Sequence, residues 1–298
     1  MGLAVKGLVK RYGAYTAVDT LSFAMDRPGV FALLGTNGAG KTTTIRMLLG
    51  MLAKDSGEVT WEGKAIDPST GSVGYLAEER GLYPKATVQD QLTYFARLKG
   101  MGREEVKRAL DYWFARMKVE EHRHKKAEAL SKGNQQKIQF IAALISDPKL
   151  LILDEPLSGL DPVNADQFRE VIREQIAKGK FIIMSSHQMA TVEEFCDDLV
   201  ILNKGKTVLE GNLNTIKKSY GRNRLSIKCE EDIVPVAQQH GLRLLGQTAS
   251  ESEYYVPDAV AAKALLTDIV GQGLSLVKFE LREPTLHEIF VEKVGDAE

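Results

Sequence analysis

The chain has 298 residues, 44% hydrophobic and 27% charged, with a net charge of −1 at pH 7, which allows one large or two modest domains with real cores. So even a balance excludes a global field that would gather nucleic acid or an anionic membrane surface. The two cysteines, Cys196 and Cys229, make neither a disulfide framework nor a metal-ligand spacing, and no apolar run approaches the roughly 18 residues of a membrane span.

The N-terminus, "MGLAVKGLVKRYG", lacks the apolar stretch of a signal peptide, and Lys6 stands where an acylation motif needs Ser or Thr. Any membrane role is therefore expected to pass through a partner. "LAVKGLVKRYGAYTAVDTLSFAMDR" alternates apolar and polar residues around a Tyr-Gly turn and predicts paired strands. "VFALL" then predicts a buried strand, and "KTTTIRMLLGML" a helix. Between them, Gly35-x-x-x-x-Gly40-Lys41-Thr42 has the spacing of a phosphate-binding loop. Glycine admits close approach and positive φ there, and the helix N-terminus favours the anion. The candidate nucleotide contacts are Gly35, Thr36, Asn37, Gly38, Ala39, Gly40, Lys41, Thr42 and Thr43, with the Thr42 hydroxyl placed for Mg²⁺.

"SGEVTWEGKAI" predicts a second short hairpin, and residues 87–130 turn helical. Thr87 and Asp90 resemble a capping box, while Val106, Leu110, Trp113 and Met117 share one helical face and read as core. "EEHRHKKAE" sets His122 and His124 among charges and reads as a solvated face rather than a metal site. "RLKGMGREEVKR" interleaves its bases with acids, so no nucleic-acid partner is expected.

"KLLILDEP" and "KFIIMSSH" are near-continuous apolar runs, as parallel strands covered on both faces require. Asp154 and Glu155 close the first, at the end where a parallel sheet presents residues to ligand. Asp154 is placed to hold Mg²⁺ and Glu155 to orient or deprotonate water, although such a pair also caps helices. "LVILNKGKTVLEG" predicts a hairpin with a Lys-Gly turn. The tail reads β-α-β-β-α-β, a small α+β ferredoxin-like domain closed by a helix, "PTLHEIFVEKV". The expected fold class is α/β: a P-loop NTPase with a parallel sheet core, N-terminal antiparallel strands and a helical subdomain, followed by that smaller domain.

"LSKGNQQ" (130–136), "LILDEP", "SGLD" (158–161), His187 after "IIMSS" and Tyr12 in "KRYG" stand in one order along the chain. In these motifs the chain resembles the ATP-binding subunits of ABC transporters over about residues 1–218. The tail, with "REPTLHEIFVEKVG", is similar to the C-terminal extension of bacterial sodium-efflux-type exporter ATPases. The resemblance implies an ATP-binding domain at 1–218, its helical subdomain at about 79–135, and an accessory domain at 219–298. It implies ATP and Mg²⁺ as ligands, Tyr12 stacked on adenine, and His187 at the γ-phosphate. Ser131, Gly133, Asn134 and Asp161 would reach the ATP of a second copy or a homologous ATPase subunit, packed head to tail. The further implied partner is an integral membrane permease, with this chain cytoplasmic and peripheral on the inner face of the membrane.

Four positions depart from the family pattern. Ala77-Glu78 replaces Pro-Gln, so a glutamate stands where a glutamine normally ligands Mg²⁺. Lys132 replaces a glycine and Asn134 a glutamine within the signature. A soluble ABC protein acting on ribosomes or DNA is the alternative, but that class usually carries two ATP modules or a long coiled-coil insertion. One phosphate loop, one signature and no sustained heptads speak against it. A non-hydrolysing regulatory module would be expected to lack Lys41, Asp154, Glu155 or His187, and all four are present.

Overall fold

Strands β1 (Leu3–Tyr12) and β2 (Tyr15–Met25) pair antiparallel, with Tyr12 directly across from Tyr15. The computed structural model describes residues 2–79, 81–248 and 250–295, and the chain divides into two compact units, Met1–Glu210 and Gly211–Glu298. In the first unit β3 (Gly29–Gly35) leads into α1 (Lys41–Leu48), followed by β4 (Ser56–Trp61), β5 (Val73–Leu76), α2 (Val88–Leu98), α3 (Arg103–Met117) and α4 (Lys132–Leu144). Then come β6 (Leu150–Asp154), α5 (Pro162–Ala177), β7 (Phe181–Ser186), α6 (Met189–Glu193), β8 (Asp198–Asn203) and β9 (Lys206–Asn212).

Six strands form one sheet in the order β5-β6-β7-β3-β8-β9, and β5 through β8 run parallel in it. The residues of β6, "LLILD", are all buried, because a strand inside a parallel sheet has no solvent face. The three-stranded antiparallel sheet β2-β1-β4 shares a core with it, in which Leu3, Leu8 and Trp61 join Leu33, Ile152, Ile183 and Val200 around Ile45 and Leu48 of α1. Each such aliphatic side chain contributes roughly 1.5–3 kcal/mol on full burial. That packing fixes the C-terminal ends of β3, β6 and β7 side by side.

Two local expectations need correction. "SGEVTWEGKAI" does not make a hairpin of two strands: β4 pairs with β1, and the return limb is reduced to a single Trp61–Lys64 bridge. Asp67 then draws the Ser69 N–H onto its carboxylate and Pro68 supplies no donor, so the limb turns away instead of extending a ladder. "EEHRHKKAE" is not uniformly solvated. His124 is exposed, but a 3-10 turn at Glu120–His122 directs His122 inward, where it is 9% exposed and meets Asn134 of α4.

The second unit begins with α7 (Leu213–Tyr220) and continues as β10 (Arg224–Cys229), α8 (Val234–Gln239), β11 (Arg243–Gln247), β12 (Ser252–Tyr255), α9 (Ala259–Gly271), β13 (Leu276–Arg282) and α10 (Leu286–Gly295). Its sheet is antiparallel in the order β11-β12-β10-β13, which is the split β-α-β arrangement of a ferredoxin-like domain. Leu225, Ile227, Tyr254 and Val256 of the sheet side pack with Leu265 and Ile269 of α9.

Candidate functional site

The turn between β3 and α1 is shaped by its glycines. Gly35 has φ 149° and Gly40 φ 107°, and a Cβ would stand 2.3 Å from the Leu202 carbonyl oxygen at the first and 2.4 Å from that of Ala17 at the second. No side chain fits either place. Ala39 is buried under the turn, its N–H bonded to the Thr36 carbonyl at 3.1 Å. The Lys41 ammonium curls back inside the loop, donating to the carbonyls of Gly35 at 2.9 Å and Thr36 at 3.1 Å.

Across from it stand the two carboxylates at the end of β6. Asp154 is 1% exposed and Glu155 5%. Glu155 Oε1 lies 3.7 Å from Lys41 Nζ and 2.9 Å from His187 Nδ1, and the Ser186 hydroxyl reaches Oε2 at 3.4 Å. The Glu155 backbone takes φ 49°, a left-handed conformation that costs a non-glycine residue on the order of 1 kcal/mol and aims the side chain away from the strand direction. One hydroxyl serves both acids: Ser185 Oγ donates to Asp154 Oδ1 and accepts the Glu155 N–H at 3.1 Å.

Burial pushes the Asp154 carboxyl above its ordinary range; the Ser185 and Thr42 hydroxyls draw it back in part, while the Glu155 charge adds to the rise. Its Oδ2 is buried without a hydrogen bond of good geometry among the described residues, although the Thr42 hydroxyl stands beside the carboxylate. A buried carboxylate oxygen in need of a partner, next to a hydroxyl, is a donor set that suits a hard divalent cation. Glu78, just beyond β5, is exposed and is likewise raised by desolvation and by the charges of Asp154 and Glu155, with Lys41 and His187 opposing.

Lys41, Thr42, Glu78 and Glu155 share a cavity of about 450 Å³ with Tyr12, Tyr15, Ala17, Asn37, Gly38, Gly40 and Thr43. Tyr12 and Tyr15 are each half exposed at its mouth, and the Tyr15 hydroxyl donates to the Gly38 carbonyl at 3.5 Å. Of the residues at the mouth, Tyr12 alone carries a motif in the sequence; Tyr15 and Ala17 are legible only as its neighbours across and along the hairpin. Ser185 and Ser186 carry no motif, and their one signal is their place at the end of the strand adjoining β6.

Ser131, Gly133, Asn134 and Asp161 do not line this cavity. Ser131 caps α4 by accepting the Asn134 N–H at 3.3 Å, and Asp161 caps α5 by accepting the Asn164 N–H at 3.0 Å. A Cβ on Gly133 would meet the Asn164 amide nitrogen at 3.1 Å, so these two helix starts lie against each other. Lys132 is exposed.

A buried ammonium that faces two carbonyls and a carboxylate, at the start of a helix, is prepared for a stronger anion. The fold and this arrangement define a P-loop nucleotide hydrolase. The family model described as "ABC transporter" matches residues 18–158, and that of "ATP-binding protein DrrA1-3-like, C-terminal domain" matches residues 211–294. The chain is 44% identical to the ABC transporter ATP-binding protein YhaQ of Bacillus subtilis (strain 168), over 98% of each chain. It is 37% identical to the Nod factor export ATP-binding protein I of Ralstonia nicotianae, over 70% of this chain and 66% of that one. A solved structure titled "Structure of ATP binding subunit of ABC transporter" is similar with a TM-score of 0.69 at 33% identity, over 74% of this chain and 94% of that chain. The chain belongs to the ATP-binding proteins of ABC transporters and is the ATP-hydrolysing subunit of such a transporter. Among the described residues no helix is long and apolar enough to cross a membrane.

Proposed function

We propose that this chain powers export through a separate membrane permease, working as one half of a head-to-tail pair of ATPase subunits. The observation that carries the mechanism is Glu155, buried between Lys41 Nζ and His187 Nδ1. Lys41 and the loop N–H groups of residues 35–43 take the β- and γ-phosphates, and Tyr12 stacks on the base. Thr42, Asp154 and Glu78 would hold Mg²⁺, and such an ion would supply positive charge against the charge that develops on the phosphates. Glu155 accepts a proton from the attacking water, and His187 holds the carboxylate in place and contacts the γ-phosphate. Phosphate arriving at Lys41 competes with Glu155 for the ammonium and leaves the carboxylate to the water.

Ser131, Gly133, Asn134 and Asp161 are assigned to the ATP of the facing subunit; that they lie outside the chain's own cavity supports this. An apolar cleft of about 550 Å³ between Tyr75, Leu82, Phe95 and Leu98 supports a docked permease segment, with Met51, Tyr83 and Tyr94 exposed around it. The chain would thus be peripheral on the cytoplasmic face of the membrane. Export is supported by the name of the Nod factor export relative. The nucleotide-binding part is assigned to residues 1–218, and a chain ended at 218 is expected to bind ATP.

Co-purification tests the reading. The full chain should bring down a polytopic membrane protein, and Lys41→Ala should abolish Mg²⁺-dependent ATP hydrolysis while leaving the fold intact. Recovery with ribosomes instead, or normal turnover by the variant, would overturn it.

A further inference from the structure

His122 is the one histidine of the charged segment that is buried, and its ring joins the segment to the start of α4. Nε2 lies 2.8 Å from the Asn134 amide nitrogen and 3.4 Å from Glu121 Oε1, and Nδ1 lies 3.2 Å from Lys125 Nζ. Burial, with the Lys125 charge second, holds the imidazole below its ordinary pKa, so it is neutral at pH 7. A neutral ring has one acceptor nitrogen and one N–H. Lys125 can only donate, so Nδ1 accepts and Nε2 carries the proton. The Asn134 amide then meets Nε2–H with its oxygen, the two ends of an amide being assigned from their hydrogen-bond partners.

Asn134 is therefore held at two points. Its backbone N–H donates to Ser131 Oγ, and its side-chain oxygen accepts the Nε2–H of His122. The first turn of α4 carries Gly133 and Asn134 behind its cap Ser131; Gln135 ties it to the carbonyls of Ala127 and Leu130, and His122 meets it at Asn134. We propose that His122 is a positioning residue for this turn: the His122–Asn134 hydrogen bond sets where Ser131 and Gly133 stand when a second subunit's ATP arrives. The proposal rests on the assignment of those residues to the facing nucleotide.

The test uses the full-length chain in the Glu155→Gln background, where ATP-bound pairs accumulate, with dimerisation followed by light scattering. Ser131→Ala calibrates the signature contact. His122→Leu keeps bulk and removes the donor, and His122→Gln restores an N–H near the Nε2 position. The expected result is a dimer about tenfold weaker for each turn loosened, hence roughly a hundredfold for the pair, in His122→Leu. Binding of a fluorescent ATP analogue to the chain's own phosphate loop should stay within about twofold, and His122→Gln should recover most of the dimer. Asn134→Ala should add little to His122→Leu.

If Ser131→Ala weakens the dimer and His122→Leu does not, His122 has no positioning role. Loss of analogue binding together with the dimer, unrescued by glutamine, makes the residue a general fold element and overturns the proposal too. If Ser131→Ala itself leaves the dimer unchanged, the assignment across the interface falls first, and the role of His122 with it.

Discussion

Glu155 Oε1 lies 2.9 Å from His187 Nδ1, and the contact joins the ends of two neighbouring parallel strands. The carboxylate that would take the proton from water is thus held by a group from beyond another strand and by the Ser186 hydroxyl of that strand, while Ser185 accepts the Glu155 backbone N–H. Glu155→Gln keeps the shape and removes the base. Hydrolysis should fall by about 10²–10⁴-fold, while ATP still binds and the chain accumulates as a dimer with ATP but not with ADP. Ligand that grips only the dimer stabilises it by about 2.7 kcal/mol at a hundredfold excess over Kd. Light scattering with ATP, ADP and no nucleotide checks the second outcome, and wild-type turnover would pass the base role elsewhere, with His187 next.

Ser185→Ala should disturb the same site without touching a phosphate. Its hydroxyl donates to Asp154 and accepts the Glu155 N–H, so alanine loosens both acids at once. Partners of this kind typically matter by 10–100-fold in metal affinity or activity. A Mg²⁺ titration of ATPase activity should show the half-maximal concentration rising by about that factor, whereas an unchanged titration would leave Ser185 a packing residue.

The phosphate loop, the β6 acids and the alternation of strand and helix were legible because each depends on local residue type at fixed spacing. The β-α-β-β-α-β tail was legible for the same reason: its apolar runs keep one period at a time. What stayed hidden depended on distant partners. His122 looks solvated among charged neighbours until Asn134, twelve positions on, draws it in. Lys64 looks like a strand residue until β1 takes β4 as its own neighbour. Ser185 looks like one more residue of a buried strand until β6 sets Asp154 beside it.

Tyr12 and Tyr15 face each other across their hairpin and both line the cavity mouth. Tyr12→Ala should weaken ATP binding by about 1–3 kcal/mol if a base stacks on it. Tyr15→Ala should weaken both ligands alike, because its hydroxyl braces the Gly38 carbonyl of the phosphate loop. Titration of ATP against inorganic triphosphate separates the effects: a loss confined to ATP belongs to the base, and an equal loss on both belongs to the loop.

Glu78→Gln removes a carboxyl whose pKa is raised by desolvation and by Asp154 and Glu155. For a group raised on folding, the contribution to stability is full below the unfolded value and is lost as pH rises through the folded one. Nucleotide-free wild type should therefore lose stability as pH rises just above the usual glutamate range, and the glutamine variant should lose less, the remainder belonging to Asp154, which is raised in the same way. Denaturant midpoints from pH 4 to pH 7 measure the difference. A parallel shift in the Mg²⁺ titration is expected if the residue also meets the metal.

The opposite sign applies to Glu288 in the second unit. Burial alone would raise its carboxyl, but the Arg282 guanidinium, bonded at 2.7 and 2.9 Å, and the Thr285 N–H and hydroxyl bring it down to about 2. Glu288 returns the favour as part of a reciprocal cap, its own N–H bonded to Thr285 Oγ1 at 3.2 Å at the start of α10. A carboxyl depressed on folding stabilises above its unfolded value, near 4.5, and that contribution is lost as pH falls towards about 2. The partly exposed pair is screened, so roughly 1–2 kcal/mol is at stake. Both tryptophans, Trp61 and Trp113, lie in the first unit, so fluorescence would miss the change. Amide exchange of Leu286, Ile289 and Phe290, which are buried along α10, reads it directly. Their protection should drop about tenfold in Glu288→Gln at pH 7, and the gap between variant and wild type should narrow as pH falls below 4. Equal protection at pH 7 would mean that α10 is held by its apolar face alone.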